Sequence, residues 1–307
     1  MLPSLEMPHW KLILAYDGSG FHGWQVQNGQ NSLRTIQGTL AETIAGITGE
    51  TVLPQGSGRT DAGVHALGQV VTFALQVPIP AANLQRSLNR ALPAAIRVLS
   101  AEVVSETFHA RHSATSKTYE YRIFEARLQH AVGPITDRIC SPFLAPFVWD
   151  CHWPVSLVAM QGAADDFLGQ HDFTSFAASD PDLTQRNAAS SESLALGPWP
   201  SPLKTITRST LTRESNLLIY RVTGSGFLHH MVRNIVGTLV EIGRGSLAPN
   251  AIPEILAAHD RSAAGPTAPA SGLFLVSVDY ESQQDLGAPR PAFDAWAGTA
   301  TDPEAAP

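Results

Sequence analysis

The sequence predicts an α+β fold in which two ferredoxin-like β-α-β-β-α-β units share a mostly antiparallel sheet around a central cleft. Strand-like and helix-like stretches alternate in this order in the first third of the chain, and the same order recurs after residue 107. The length of 307 residues, 44% of them hydrophobic, suits about two domains. We therefore assign one unit to residues 9–107, a second to 108–281, and an acidic tail to 282–307.

The elements of the first unit follow from hydrophobic periodicity, because apolar residues alternate in strands and recur every three or four positions in helices. They are a strand at 11–16, a helix from Ile36 with Thr35 as its cap, two strands flanking a glycine-rich loop at 56–66, a helix at 84–92 and a strand at 96–104. Asp17-Gly18 ends the first strand, and Pro93 ends the second helix. The order is that of a ferredoxin-like unit, with both helices on one face of its sheet.

The second unit repeats this order. Its elements are a strand at 117–124, a helix at 155–168, a hairpin of 203–212 with 217–223, a helical stripe from Leu228 to Ile242 and a strand at 273–280. Two segments fit neither unit: residues 177–202 are rich in Ser, Ala, Pro and Asn, and the C-terminal tail has a disordered composition.

The charge distribution leaves RNA as a possible partner. The formal net charge is -7, but residues 279–307 hold six acids and one base, so the remainder is nearly neutral. Basic residues outnumber acids at 111–138 and at 204–244, which predicts a basic face. A solvated charged surface is the alternative interpretation.

Several classes of protein are disfavoured. The chain has no apolar run of membrane-spanning length, and its start lacks the basic and apolar parts of a signal peptide, so we expect a cytoplasmic protein without a membrane partner. Cys140 and Cys151 are eleven positions apart, which favours neither a disulfide framework nor a zinc ribbon.

The glycine-rich loop contains the candidate catalytic group. Asp61 lies between three glycines and two probable strands, with Arg59 two residues away, an arrangement suited to a nucleophile or a base. No Gly-Lys-Ser/Thr follows, which excludes a phosphate-binding P-loop. Asp61 could instead tie its own turn, or form a metal site with His65, although two ligands are few for a metal.

Residues 58–66, Gly-Arg-Thr-Asp-Ala-Gly-Val-His-Ala, resemble the active-site motif of the tRNA pseudouridine synthase A family. Further segments resemble the same family in the same order, and the resemblance covers about residues 10 to 281. These segments are 16–25, 108–111 with 117–121, 168–176, 224–234 and Gly272-Leu273.

The resemblance implies isomerisation of uridine to pseudouridine on the 3′ side of the tRNA anticodon arm by a homodimer, without metal, cofactor or nucleotide. It also implies a set of site residues: Asp61, Arg59 and Arg233 as catalytic groups, and Tyr119, Leu273, Arg111 and His65 as substrate-binding groups. In the family the tyrosine at the position of Tyr119 stacks on the target base, for which an aromatic ring is suited. His112 departs from the family, where an aromatic residue is common.

Two functions of other classes remain as alternatives. A ferredoxin-like sheet with aromatic and basic residues also suits a non-catalytic RNA-binding protein, but such a protein has no need of a carboxylate in a basic pocket. A metal-dependent hydrolase would use Asp61, His65, His171 and Asp172. Because an aspartate in a partly dry pocket needs a cationic partner, we also predict that Arg233 reaches Asp61 across the cleft.

Overall fold

The computed structural model describes residues 7–27, 33–128, 136–178 and 201–281. The predicted acidic tail and nearly all of the 177–202 segment lie outside these residues. The helices are α1 (Ile36–Thr48), α2 (Ala81–Ala91), α3 (Leu157–Asp165), α4 (Met231–Gly243) and α5 (Ile252–Ala258). Within the described ranges, no helix has both the length and the apolar character needed to cross a bilayer.

Twelve strands are described. They are β1 (His9–Tyr16), β2 (Gln55–Gly56), β3 (His65–Ala74), β4 (Ile96–Val104), β5 (Ala114–Glu125), β6 (Arg127–Leu128), β7 (Thr136–Asp137), β8 (Trp149–Cys151), β9 (Gly169–Asp172), β10 (Leu203–Glu214), β11 (Leu217–Gly224) and β12 (Leu273–Tyr280).

Ten of these strands form one sheet in the order β4-β1-β3-β12-β5-β11-β10-β9, with β2 added to β3 and β8 added to β5. β6 and β7 form a separate pair. Among the described strands, only β3 with β12 and β5 with β8 pair in parallel. The predicted α+β class with a largely antiparallel sheet is therefore confirmed. The short β3–β12 pairing, Phe274 with His65 and Leu275 with Ala66, joins the two halves of the sheet.

Local signals explain where helices α1 and α4 begin. Thr35 caps α1, because its hydroxyl oxygen accepts a hydrogen bond from Gly38 N at 3.2 Å. Helix α4 begins at Met231 rather than at Leu228, where the apolar stripe begins. The reason is that His230 adopts a left-handed backbone with φ of 59°, which cannot continue a right-handed helix toward its N-terminus.

The segment after α3 differs from its prediction. The pattern predicted a helix at 155–168 followed by an aromatic-lined loop. Ser156 instead caps α3, its side chain accepting from Ala159 N, and the helix ends at Asp165. Residues 169–172 then pair with β10 as strand β9, because the open edge of β10 offers backbone hydrogen-bonding partners that local periodicity does not reveal.

One hydrophobic core runs through both halves of the molecule. Alternate residues of β1 point inward, so that Leu12 and Leu14 are fully buried, and Tyr121 of β5 and Leu239 of α4 belong to the same cluster. Burial of a leucine side chain contributes about 1.5–3 kcal/mol. The Asp61 loop at the start of β3 and the start of α4 are therefore both anchored to one core.

Candidate active site

Buried side chains anchor the first half of the glycine-rich loop. Gln69, fully buried on β3, accepts a hydrogen bond from Ser57 Oγ at 2.7 Å and donates one to Gly58 O at 2.9 Å. Lys117 Nζ, from β5 in the other half, donates to Ser57 O at 2.7 Å. The loop is therefore fixed from both halves of the sheet. Burial, with nearby Arg111 and Lys204, lowers the pKa of Lys117 to about 8.

The loop is held equally on the side of Asp61 itself. The Tyr16 hydroxyl and Thr60 Oγ1 are hydrogen-bonded at 2.9 Å, and Trp24 N donates to Thr60 O at 3.0 Å. Val64 N donates to Asp61 O at 3.1 Å, closing the turn. None of these bonds uses the Asp61 carboxylate, which can therefore contact a group outside the turn.

The first turn of α4 supplies that group. Arg233 Nη1 donates to Asp61 Oδ2 at 2.8 Å, and Arg233 Nε donates to Ala268 O at 2.8 Å. The Ala268 segment reaches the helix only because Gly237 has no side chain, since a Cβ there would lie 1.7 Å from Pro266 O. The guanidinium is thus oriented by one bond and aimed at Asp61 by the other, which is the contact predicted across 172 positions.

Two histidines complete the surroundings of Asp61. His229 Nε2 lies 3.5 Å from Asp61 Oδ1, His230 Nε2 lies 3.3 Å from Oδ2, and the two ring centroids are 3.9 Å apart. Burial, with His229 and Arg233 nearby, lowers the pKa of His230, although Asp61 opposes the shift. Our sequence reasoning selected Arg233 from this segment and missed both histidines. The His-His pair directly before an amphipathic helix was the available signal.

Tyr119 lies on β5, two residues beyond Lys117 and therefore on the same face of the strand. The side chain is buried, with 8% of the residue exposed, and its ring packs edge-on against Phe227 at 5.0 Å. Burial raises the pKa of Tyr119, and the charges of Tyr16 and Asp61 raise it further, so the phenol stays protonated at neutral pH. The ring is thus an apolar surface near enough to Asp61 for the carboxylate charge to affect the pKa of Tyr119.

The other predicted site residues divide between two places. Arg59 and Arg111 line one cavity, together with Trp24, His109 and His112. Leu273 begins β12, is 6% exposed, and pairs with Tyr121 of β5. The structure therefore brings Asp61 to Arg233, and Arg59 to Arg111, while Leu273 lies in the core beside the tyrosine strand.

The His65 side chain is buried. Only 1% of the residue is exposed, and Nδ1 accepts a hydrogen bond from Gly18 N at 3.1 Å. The proton therefore sits on Nε2, which donates to Pro146 O at 3.1 Å, and burial lowers the pKa of His65 so that the ring is neutral. Both nitrogens are occupied, which is also unfavourable for the metal pair with Asp61. The ring instead links the two halves of the molecule.

Several basic residues counted toward the RNA-binding face are neutralised by acids. Glu120 accepts hydrogen bonds from Arg122 Nε and Arg221 Nε, each at 2.7 Å. Arg213 donates to both oxygens of the buried Glu125, at 3.0 and 2.8 Å. These three arginines compensate buried carboxylates and are therefore poor candidates for phosphate contacts.

The residues of the alternative hydrolase site are not assembled. His171 and Asp172 line a different cavity, formed with His259 and α5. Asp172 Oδ1 accepts from Thr174 N at 2.8 Å, which is the role of a residue that caps a turn. Among the described residues, Asp61 lies within ligand distance of His229 and His230 and forms no such group with His171 and Asp172.

Comparisons with known proteins extend the resemblance beyond these motifs. A family model described as tRNA pseudouridine synthase matches residues 12–113 and 163–281. A protein of Solibacter usitatus named tRNA pseudouridine synthase A is 49% identical over 271 residues, 88% of this chain and 98% of that protein. A protein of the same name from Moorella thermoacetica is 40% identical over 274 residues, 89% of this chain and 100% of that protein. The ranges matched by the family model contain strands from both halves of the sheet and also Asp61, His229, His230 and Arg233.

Proposed function

We propose that Asp61 is the essential carboxylate of the reaction that this chain catalyses. The chain belongs to the tRNA pseudouridine synthase family. The chain is an isomerase that acts on uridine in tRNA. The observation that carries the assignment of Asp61 is its 2.8 Å contact with Arg233, which comes from helix α4 in the other half of the molecule. A carboxylate that merely tied its own turn would need no partner from so far away in the chain.

The chemistry requires a carboxylate and no electron transfer. The bond from C1′ to N1 breaks, a bond from C1′ to C5 forms, the C5 proton leaves, and N1 gains a proton, so that atoms and charge balance. Asp61 can act as a nucleophile toward the base or sugar, or as a base toward a sugar proton. Arg233 supports either role, because it orients one carboxylate oxygen and leaves Oδ1 available for the reaction.

The remaining site residues have separate roles in this proposal. The Tyr119 ring and Leu273 form the apolar side of the base pocket, and the polar cavity of Arg59 and Arg111 holds RNA phosphates. A uridine must leave its stack to reach Asp61, at a cost of a few kcal/mol that these contacts offset. For His65 we now propose a positioning role, since its hydrogen bonds tie Gly18 to Pro146.

We further propose that the two halves are ferredoxin-like units, at 9–107 and 108–281. The strand orders β4-β1-β3-β2 and β12-β5-β11-β10 support this, because each contains the same arrangement of first, second, third and fourth strands. The anticodon arm as the target and the homodimer rest on the family resemblance, and we keep the cytoplasmic location as the expectation from the sequence. Two exposed apolar side chains, Ile139 and Phe143, are candidates for a contact surface between protomers.

The proposal can be tested directly. The purified chain is incubated with unmodified tRNA, without added metal or nucleotide, and pseudouridine is mapped by chemical probing of the whole tRNA. We expect new pseudouridine confined to the 3′ side of the anticodon arm. Binding of tRNA without any pseudouridine would favour the non-catalytic alternative, and product at another place in the tRNA would overturn the anticodon-arm assignment alone.

A further inference from the structure

We propose that Asp61, His229 and His230 form a Zn²⁺ site, and that the bound ion inhibits the enzyme by withdrawing Asp61 from the reaction. Their ligand atoms all lie within 4.8 Å of one another. The inhibitory part rests on the proposed function, because it requires Asp61 to be the essential carboxylate. Binding of the ion does not depend on that role.

The two separations between an Asp61 oxygen and a histidine nitrogen fit a shared zinc ion. In a tetrahedral site with bonds of about 2.0–2.1 Å, neighbouring ligand atoms lie about 3.3 Å apart. Asp61 Oδ1 is 3.5 Å from His229 Nε2, and Asp61 Oδ2 is 3.3 Å from His230 Nε2. Both distances are longer than the roughly 2.7–2.9 Å of a strong charge-assisted hydrogen bond. They are close to the spacing of two ligands around a shared ion.

The chemistry of the three side chains selects the metal. Two imidazoles and one carboxylate are typical zinc ligands, and three protein ligands leave a fourth position for water. The Asp61, His229 and His230 side chains are 22%, 28% and 26% exposed, so an ion can reach them from solvent.

Arg233 sets the strength of the site. Its guanidinium, 2.8 Å from Asp61 Oδ2, places a positive charge beside the ion and competes for that oxygen. Coordination through Oδ1, the oxygen nearest His229, leaves the Arg233 bond in place, whereas coordination through Oδ2, the oxygen nearest His230, displaces that bond. We therefore expect weaker and more reversible binding than in a structural zinc site, as suits an inhibitory ion rather than a resident one.

The binding arm uses Zn²⁺ titrated into metal-stripped enzyme in competition with a chromophoric chelator. We expect one equivalent to bind, and each of His229→Asn and His230→Asn to lower the affinity at least about tenfold. His171→Asn is the matched control, because His171 is a half-buried histidine of the separate cavity beside Asp172, and this variant should bind Zn²⁺ like the original chain. Unchanged Zn²⁺ affinity in both His229→Asn and His230→Asn, or no stoichiometric binding to the original chain, would refute the proposed metal site.

The activity arm compares each chain with itself, as the ratio of isomerisation rates with and without Zn²⁺. We expect Zn²⁺ to slow isomerisation by the original chain and by His171→Asn, and a chelator to restore the rate. Isomerisation by His229→Asn and His230→Asn should be less sensitive to Zn²⁺. Stoichiometric Zn²⁺ bound through both histidines without slowing would refute inhibition. Lack of isomerisation in the metal-free enzyme would instead refute the proposed function, while the titration would still decide whether the metal site exists.

Discussion

Replacement of Arg233 by lysine tests whether the guanidinium aims Asp61. The arginine makes two directed hydrogen bonds of 2.8 Å, from Nη1 to Asp61 Oδ2 and from Nε to Ala268 O. A lysine retains the positive charge, but its single Nζ cannot make both bonds at once with the same geometry. Arg233→Lys therefore removes orientation while it preserves charge.

The expected loss follows from the bond that is forfeited. A hydrogen bond to a charged group is worth about 1.5–3 kcal/mol, and each 1.4 kcal/mol is a factor of ten in rate. We expect single-turnover isomerisation to slow by about 10- to 100-fold, while the Kd for tRNA changes by less than about threefold. The first is measured as hydrogen released from uridine C5 in tritium-labelled tRNA with enzyme in excess, and the second by filter retention of the same tRNA.

Arg244→Lys is the matched control. Arg244 follows the last turn of the same helix, is 33% exposed, and makes an ion pair with Glu241 at 3.2 Å. Exposed pairs of this kind contribute about 0–1 kcal/mol, so the rate should be unchanged. A rate for Arg233→Lys close to that of Arg244→Lys would show that the guanidinium does not orient Asp61. Equal losses in rate and affinity would show that Arg233 grips the RNA instead.

Three further outcomes are expected. Asp61→Asn should abolish C5 hydrogen release and leave tRNA affinity within a few-fold, and substantial turnover by this variant would exclude Asp61 as the essential carboxylate. A log-log plot of tRNA affinity against salt concentration should be steep, and Arg111→Gln should reduce its slope by about 1. Arg213→Gln, which breaks the pair with Glu125, should leave the slope unchanged. Equal slopes in the two variants would argue against the Arg111 cavity as a phosphate site. The free energy of unfolding should rise by about 2 kcal/mol from pH 7.5 to 9.5 relative to Lys117→Met, because burial lowers the folded pKa to about 8 from 10.5 and the unfolded chain then binds more protons. If the free energies of unfolding of the original chain and of Lys117→Met, both measured with urea, change equally across that pH range, Lys117 is not held in a desolvated site.

The order and type of the main elements could be predicted from sequence, because they depend on interactions between near neighbours. The strand at 96–104 and the strand at 273–280 match β4 and β12, and the Thr35 cap starts α1 as expected. The periodicity of side chains and the capping of a first turn are decided within a few residues. The family motifs were recognisable for a similar reason, since Asp61 and its glycines are contiguous.

The roles of individual polar side chains depended on tertiary structure. His65 lies in the same motif as Asp61, yet the pairing of β3 with β12 buries its ring against Phe274 at 4.7 Å. His229 and His230 meet Asp61 only because the continuous core fixes the start of α4 beside the glycine-rich loop. The pattern of residues predicts which face of an element is apolar, but it does not predict which polar groups from distant elements approach within 3 or 4 Å. That proximity is set by the packing of the whole sheet and decides charge, protonation and chemistry at the site.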